Sequence, residues 1–260
     1  MQNTLTIHTV PAFADNYIWL VGRPDRAVVA VVDPGDAAPV RAALTAGGLE
    51  PAAILLTHHH GDHTGGASEL AAEYGIPVYG PAAESIVAVD HPLQGGEELD
   101  LAPLDLPLSV LATPGHTRGH LCYLGGGALF CGDTLFTGGC GRLFEGSPGQ
   151  MYASLEQLRQ LPGDTAVYCG HEYTLANLAF ARLVEPESAA LATRIRRAEA
   201  ARAAGRPTVP STIAEEQQTN PFLRCHLPEV ADAARRFSAQ HLEGPEAVFA
   251  VVRHWKDTLD

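Results

Sequence analysis

Along the first two thirds of the chain, apolar and polar positions fall into short runs rich in Val, Ile, Leu and aromatic residues, most of them closed by Gly, Asp or Thr. The runs at 5–10, 16–22, 27–33, 52–57, 77–80, 108–113, 120–125, 128–133 and 165–170 have the length and composition of strands. Ala-rich segments near 37–47, 67–74 and 150–160 instead repeat their apolar residues at helical spacing. Strands interleaved with helices in this way predict an α/β (α+β) fold, two packed sheets with helices outside in an αβ/βα sandwich. From about Tyr173 the pattern changes to Ala, Arg, Glu and Leu at helical periodicity, broken at Gly205 to Pro210 and at Asn220-Pro221. A smaller helical domain is therefore expected, with residues 1–172 forming the first domain and 173–260 the second. The stretch AARAAGRPTVPS at 200–211 reads as a surface loop.

Composition narrows the class. A net charge of −13 argues against nucleic-acid and anionic-membrane partners, both of which call for a basic face. No apolar run approaches the roughly 18 to 20 residues needed to cross a bilayer, and MQNTLTIHTVPAF at the N-terminus has neither the basic region nor the apolar core of a signal peptide. These features predict a soluble cytoplasmic protein. The five cysteines, at 122, 131, 140, 169 and 225, are odd in number and form no CxxC pair. They read as reduced, buried thiols and not as a disulfide framework or a zinc knuckle.

The chemistry is concentrated in Thr57-His58-His59-His60-Gly61-Asp62-His63, four imidazoles and a carboxylate within seven residues. Imidazole nitrogen and carboxylate oxygen are donors suited to zinc, iron and manganese. The run is internal, follows the apolar AAILL at 52–56, and holds its carboxylate at a fixed offset, unlike a tag or a low-complexity tract. Further candidate ligands also sit where strand patterns end: His116 in ATPGHTRGH, Asp133 after ALFC and His171 after AVYCG. Strand ends bring side chains from distant positions to one mouth, which is how a multi-ligand site is assembled on a sheet.

On these residues the chain resembles the metallo-β-lactamase superfamily, whose mark is an HxHxDH run followed by a His, an Asp and a His. The resemblance implies two divalent metal ions per chain, zinc foremost, with iron and manganese also fitting. It assigns His58, His60 and His116 to one ion and Asp62, His63 and His171 to the other, with Asp133 bridging. Paired ions of this kind, about 3.5 to 4 Å apart, bring a water toward hydroxide at neutral pH. Asp62 and Asp133 are accordingly the expected catalytic carboxylates. His59 is expected to face away from the ions, since alternate positions of an extended loop point to opposite sides. His120 is expected to make a structural hydrogen bond, and His8, His91, His226, His241 and His254 have no ligand spacing.

Outside the metal run the chain is similar to the hydroxyacylglutathione hydrolase family in AFADNYIW (12–19), VVDPGD (31–36), FTGGCGRLFEG (136–146), GHEYTLANLAFA (170–181), NPFLR (220–224) and FAVVRHWKD (249–257). The resemblance implies that Arg142, Tyr173, Arg253 and Lys256 bind the glutathione part of a thioester. Glutathione carries two carboxylates, which Arg forks and Lys point charges recognise. Arg142 and Phe144 depart from the Lys and Tyr frequent in that family, which removes a hydroxyl from the site. The activity implied is hydrolysis of S-(2-hydroxyacyl)glutathione, chiefly S-D-lactoylglutathione, to glutathione and D-lactate by a hydroxide held between the ions. The expected partner is this small molecule alone, with no nucleic acid, no membrane and a monomeric chain. The alternatives are a mononuclear-iron glutathione persulfide dioxygenase using His58, His116 and Asp133, and a thioesterase or lactonase for another substrate. The helical C-terminal segment with its Arg and Lys counts against the dioxygenase.

Overall fold

The computed structural model describes residues 5–102 and 104–259, which form two compact units. Residues up to 113 together with 117–132 make the first, and 114–116 together with residues from 133 onward make the second.

The first unit is built on a six-stranded sheet in which β1 (Thr6–Ala12), β2 (Asn16–Gly22) and β3 (Val28–Val32) run antiparallel. Helix α1 (Ala37–Gly47) carries the chain back so that β4 (Glu50–Leu55) pairs parallel with β3. A single turn α2 (Gly61–Thr64) and helix α3 (Ala67–Tyr74) do the same for β5 (Val78–Pro81), and β6 (His91–Leu93) completes the sheet. Parallel neighbours need such crossovers, because a hairpin cannot join them. Every residue of β2 is buried, so its sequence NYIWLVG runs apolar where a half-exposed strand would alternate. Helix α1 starts where the Asp36 side chain accepts from the Ala38 N–H at 2.9 Å and ends at Gly48, φ 60°. It buries Val40 and Leu44 in one core with Val29, Val31, Ile54 and Leu56.

A second, antiparallel set follows in the order β7 (Glu98–Leu101), β8 (Leu106–Ala112), β9 (Leu121–Gly125) and β10 (Ala128–Gly132). Gly126 and Gly127 join β9 to β10 with φ of 55° and 80°. Two consecutive positive φ angles are what a two-residue hairpin matched to strand twist requires, hence the glycine pair.

The second unit opens with a small hairpin, β11 (Leu135–Phe136) and β12 (Gly139–Cys140). Helix α4 (Pro148–Arg159) then begins on a capping box between Ser147 and Gln150. Strand β13 (Ala166–Cys169) leads to helices α5 (Thr174–Val184) and α6 (Ala189–Ala203). Strand β14 (Ser211–Thr212) pairs antiparallel with β13. Helix α7 (Ile213–Thr219), a 3-10 turn (Pro221–Leu223), α8 (Pro228–Ser238) and α9 (Gly244–Asp257) complete the unit. Leu178 and Ala181 of α5 pack with Leu191 and Ala198 of α6, and the Phe222 ring contacts Phe180 and Phe249.

Each predicted strand run overlaps an observed strand, and the three predicted helices coincide with α1, α3 and α4. Strands β6, β7, β11, β12 and β14 were not expected, because two to four residues are too few for alternation to register. The stretch 200–211 is not wholly a surface loop: α6 runs on to Ala203, and Val209 and Ser211 are buried.

One carboxylate organises the second unit. Glu216 of α7 is fully buried and pairs with the guanidinium of Arg194 on α6, itself buried. Its other oxygen accepts from the Gly138 N–H at 2.8 Å and from Asn220 Nδ2 at 3.0 Å, and Asn220 Nδ2 also donates to the Gly139 carbonyl at 2.9 Å. Full satisfaction of this kind is what lets an ionised group stay buried. Glu216→Ala, which strands the Arg194 charge, is expected to cost about 3–5 kcal/mol in urea unfolding. The double variant Arg194→Met/Glu216→Leu is expected to lose clearly less; equal losses would show that the stranded charge is not the cause.

Candidate active site

In the first unit the metal-ligand run leaves the end of β4 and is gripped by Asp33, a buried residue at the end of β3. The Asp33 carboxylate accepts from the Thr57 N–H at 2.8 Å, from the Thr57 hydroxyl at 2.7 Å and from His63 Nδ1 at 3.0 Å. Its backbone is held at φ 51°, an uncommon conformation that Asp tolerates better than most residues. Because a carboxylate only accepts, His63 carries its proton on Nδ1 and leaves Nε2 as a lone pair. The Thr57 hydroxyl directs its proton to Asp33 in that hydrogen bond, so its oxygen accepts from His58 Nδ1 at 3.0 Å. The lone pair of His58 Nε2 then lies 3.1 Å from His60 Nδ1. His63 Nε2 lies 3.5 Å from an oxygen of Asp62, which Asn16 Nδ2 holds at 2.9 Å. Gly35 permits the close approach of this loop, since a Cβ there would sit 1.8 Å from the Asp62 carbonyl oxygen.

The second unit repeats the logic. His116 Nδ1 donates to the Arg142 carbonyl at 2.7 Å, which leaves Nε2 as a lone pair 3.5 Å from Asp133 Oδ2. His171 Nε2 lies 3.4 Å from the same oxygen. The His116 lone pair and the Asp133 carboxylate, both acceptors, repel at this range unless a cation stands between them, and the donor types are those that zinc, iron and manganese take. Gly141 lets the 140–146 segment close over His116, because a Cβ there would meet the Asp133 carbonyl oxygen at 2.0 Å. Among the described residues, the groups able to hold a metal ion draw on His58, His60, Asp62, His63, His116, Asp133 and His171. This donor set suffices for two divalent ions.

The neighbouring histidines take other places. His120 is fully buried, hydrogen-bonds Thr113 through Nδ1 at 3.1 Å and stacks on His58 with centroids 4.9 Å apart. The half-buried His59 packs its ring against His60 at 4.8 Å.

A cavity of about 320 Å³ in the second unit is lined by His116 and Asp133 together with Arg142, Tyr173, Arg253 and Lys256. Phe136, Cys140, Phe144, Ala176 and Asn177 complete its wall. The Tyr173 ring stacks on His171 with centroids 4.6 Å apart, and the Phe144 ring stands edge-on to His116 at 5.3 Å. Lys256, the single lysine of the sequence, is buried, as is Arg253. Arg253 donates to the Cys140 carbonyl at 2.9 Å and to Asp257 at 2.9 Å, with its guanidinium over the Phe222 ring. Asp257 also lies 3.5 Å from Arg142 Nε. Burial pushes the Cys140 thiol up to about 11, so it is a neutral wall group and not a nucleophile at physiological pH.

The family model described as "Metallo-beta-lactamase superfamily" matches residues 13–171, and that described as "Hydroxyacylglutathione hydrolase C-terminus" matches 172–259. A hydroxyacylglutathione hydrolase of Alkalilimnicola ehrlichii is 61% identical over 96% of this chain and 98% of its own length. The chain belongs to the hydroxyacylglutathione hydrolase family of the metallo-β-lactamase superfamily. Its fold is that superfamily's α/β sandwich followed by a smaller, mostly helical C-terminal domain. Among solved structures, ETHE1 from Myxococcus xanthus aligns with a TM-score of 0.66 at 25% identity, over 97% of this chain and 99% of that one. The B3 metallo-beta-lactamase BLEG-1 aligns with a TM-score of 0.65 at 25% identity, over 84% of this chain and 99% of that one. Among the described residues, no helix is long and apolar enough to cross a membrane.

Several residues of the site carried no expectation of their own. Asp33 ends a valine run before Pro34-Gly35, the same strand-end placement as the ligands, and that placement was its available signal. Asp257 stands four residues after Arg253 on α9, a spacing at which acid and base pair on a helix. Asn16, Thr57 and Asn177 have no sequence signal, since their contacts are set by tertiary packing.

Two outcomes follow from the geometry. Asp33→Ala, which frees the Nδ1 edge of His63 and the Thr57 hydroxyl, is expected to weaken metal retention about 10–100-fold in a chelator competition. Unchanged retention would remove Asp33 from the support of the ligands. All five thiols are buried, and burial holds the Cys140 and Cys169 thiols at about 11 and about 12. A chromogenic disulfide reagent at pH 8 is expected to leave them unreacted in the folded protein and to titrate all five in guanidinium.

Proposed function

We propose that the chain is a metal-dependent thioesterase that hydrolyses S-(2-hydroxyacyl)glutathione, chiefly S-D-lactoylglutathione, to glutathione and D-lactate. The observation that carries this reading is the single cavity whose wall joins two metal-ligand candidates, His116 and Asp133, to Arg142, Tyr173, Arg253 and Lys256. Relatives at 49–61% identity that carry the name hydroxyacylglutathione hydrolase support it.

In this reading His58, His60 and His116 would hold one ion and Asp62, His63 and His171 the other, with Asp133 available to both. Ions held there would supply a nucleophilic hydroxide at neutral pH and Lewis-acid polarisation of the thioester carbonyl. The hydrogen bonds from His58, His63 and His116 through Nδ1 keep the opposite nitrogens as donors to the metals. Asn16 holds Asp62 in orientation. Lys256 and Arg142 offer charge to the glutathione carboxylates, and Asp257 braces Arg142 and Arg253 against each other. Tyr173, packed on His171, directs its hydroxyl to the peptide part of the substrate. Phe136 and Phe144 give the acyl group an apolar border. The leaving thiolate is stable near neutral pH, so no separate strong acid is required. Residues 1–172 act as the catalytic domain and 173–260 as the substrate-binding domain. A cytoplasmic location accords with five free, buried thiols, and the chain is read as a monomer.

The test is steady-state hydrolysis of S-D-lactoylglutathione by the metal-loaded protein beside Asp133→Ala, with metal content measured on both. Turnover with about two metals per chain, reduced more than about 10²-fold in the variant, is the expected result. Absence of hydrolysis by fully metallated protein would end the reading. Lys256→Ala is expected to lower kcat/KM about 10–100-fold, mainly through KM, as removal of a charge-assisted contact worth about 1.5–3 kcal/mol implies. A loss confined to kcat would place Lys256 outside substrate binding.

A further inference from the structure

Glu172 stands between His171 and Tyr173 in the sequence, yet it has no place in the cavity that Tyr173 lines. The rings on either side of it stack 6° from parallel with centroids 4.6 Å apart, so His171 and Tyr173 share one side of the short link from β13 to α5. Glu172 turns to the opposite side, as the middle residue of three in a non-helical segment does.

There its carboxylate is held at both oxygens. The Thr208 N–H donates to Oε2 at 2.8 Å, the Thr208 hydroxyl donates to Oε1 at 2.5 Å, and Arg202 Nη1 lies 3.7 Å from Oε2. The Glu172 side chain is only 7% exposed, although Tyr173 beside it is 38% exposed. A buried carboxylate needs bonds that replace the water it has lost, and these bonds fix where it sits. Thr208 is a firm anchor in turn. Its hydroxyl lies 2.6 Å from that of the buried Thr174, the prolines at 207 and 210 restrict φ on either side, and Ser211 pairs with Val167 of β13 three residues on. The link is thus tied to the 207–211 segment by β14 at one end and by Glu172 at the other. Cys169 adds a weaker tie, its thiol donating to the His171 carbonyl at 3.4 Å.

We propose that Glu172 is a positioning residue, whose two hydrogen bonds to Thr208 fix the backbone of 171–173 and so aim the His171 imidazole at its metal ion and keep the Tyr173 ring stacked on it. Glu172 touches neither metal nor substrate and acts through its two neighbours. It gains this role only with the reading in which His171 holds an ion and Tyr173 meets the glutathione thioester.

Chelator competition and steady-state kinetics on the metal-loaded full-length protein test it. Glu172→Ala is expected to release one of the two metals about tenfold more readily, with the other unchanged, as loss of outer support for one ligand implies. KM for S-D-lactoylglutathione is expected to rise about fivefold or more in the same variant. Glu172→Gln keeps an acceptor and a donor for Thr208 and gives up only the charge near the half-exposed Arg202, so both quantities are expected within about twofold of the parent. Thr208→Val, which removes one of the two bonds, is expected to fall between them and serves in place of Glu172→Ala should that variant not fold. Arg224→Ala, which breaks the pair with Glu185 elsewhere in the same unit, is the control: a lower thermal midpoint with metal retention and KM unmoved. Glu172→Ala that behaves like this control would overturn the proposal and leave Glu172 a purely structural residue. Glu172→Gln as damaging as Glu172→Ala would overturn it too, since the Thr208 bonds would not be the cause. Fully metallated parent protein without hydrolysis would end the thioesterase reading, whereas the chelator arm would still decide the part played by Glu172.

Discussion

An imidazole offers a metal a lone pair only while its other nitrogen keeps the proton, and the site rests on that constraint. Three hydrogen bonds enforce it: His63 to the Asp33 carboxylate, His58 to a Thr57 hydroxyl that itself donates to Asp33, and His116 to the Arg142 carbonyl. Each acceptor is fixed by backbone or by a buried carboxylate, so the histidines cannot turn their protonated edge inward. The uncommon backbone of Asp33 and the two glycines that admit Asp62 and the 140–146 segment serve the same end. Local strain is tolerated there because the surrounding sheet over-determines it.

The second unit meets a different demand, that of holding a short hairpin in place. The hairpin β11–β12 has four paired residues, yet it carries Phe136 and Cys140 of the cavity lined by His116 and Asp133. So short a hairpin has no independent stability. Glu216 and Asn220 hold its turn from beneath by accepting from Gly138 and donating to Gly139. On the cavity side, Arg253 donates to the Cys140 carbonyl and is itself steadied by Asp257 and Phe222.

Much of this was legible in the sequence, for identifiable reasons. Long strands such as Asn16–Gly22 and helices such as Ala37–Gly47 announced themselves because periodicity needs about two turns or four alternations to register. The candidate metal ligands were legible because His58, His60, Asp62 and His63 crowd a short run and His116, Asp133 and His171 each close a strand pattern. Arg253 and Lys256, which the family resemblance implied, both line the cavity. Asp33, Asn16 and Asn177 were not legible, because their work depends on which distant backbone the fold brings to them. The burial of Val209 and Ser211 escaped notice too: a Gly- and Pro-rich stretch reads as solvent-facing, and the two-residue pairing of β14 with β13 draws it inward.

The hairpin's dependence on Glu216 bears on how this chain can be shortened. A break in composition near Tyr173 invites the view that the helices beyond it are an appendage to a complete catalytic scaffold. The compact unit to which they belong takes in Pro114–His116 and runs continuously from Asp133, and so includes that hairpin. Cutting the chain at 172 would remove Glu216, Asn220 and Arg253 together and leave the Gly138 amide and the Gly139 and Cys140 carbonyls without their partners. Shortened proteins built on this scaffold must therefore supply new polar partners for the hairpin, or replace it outright, before any question of substrate arises.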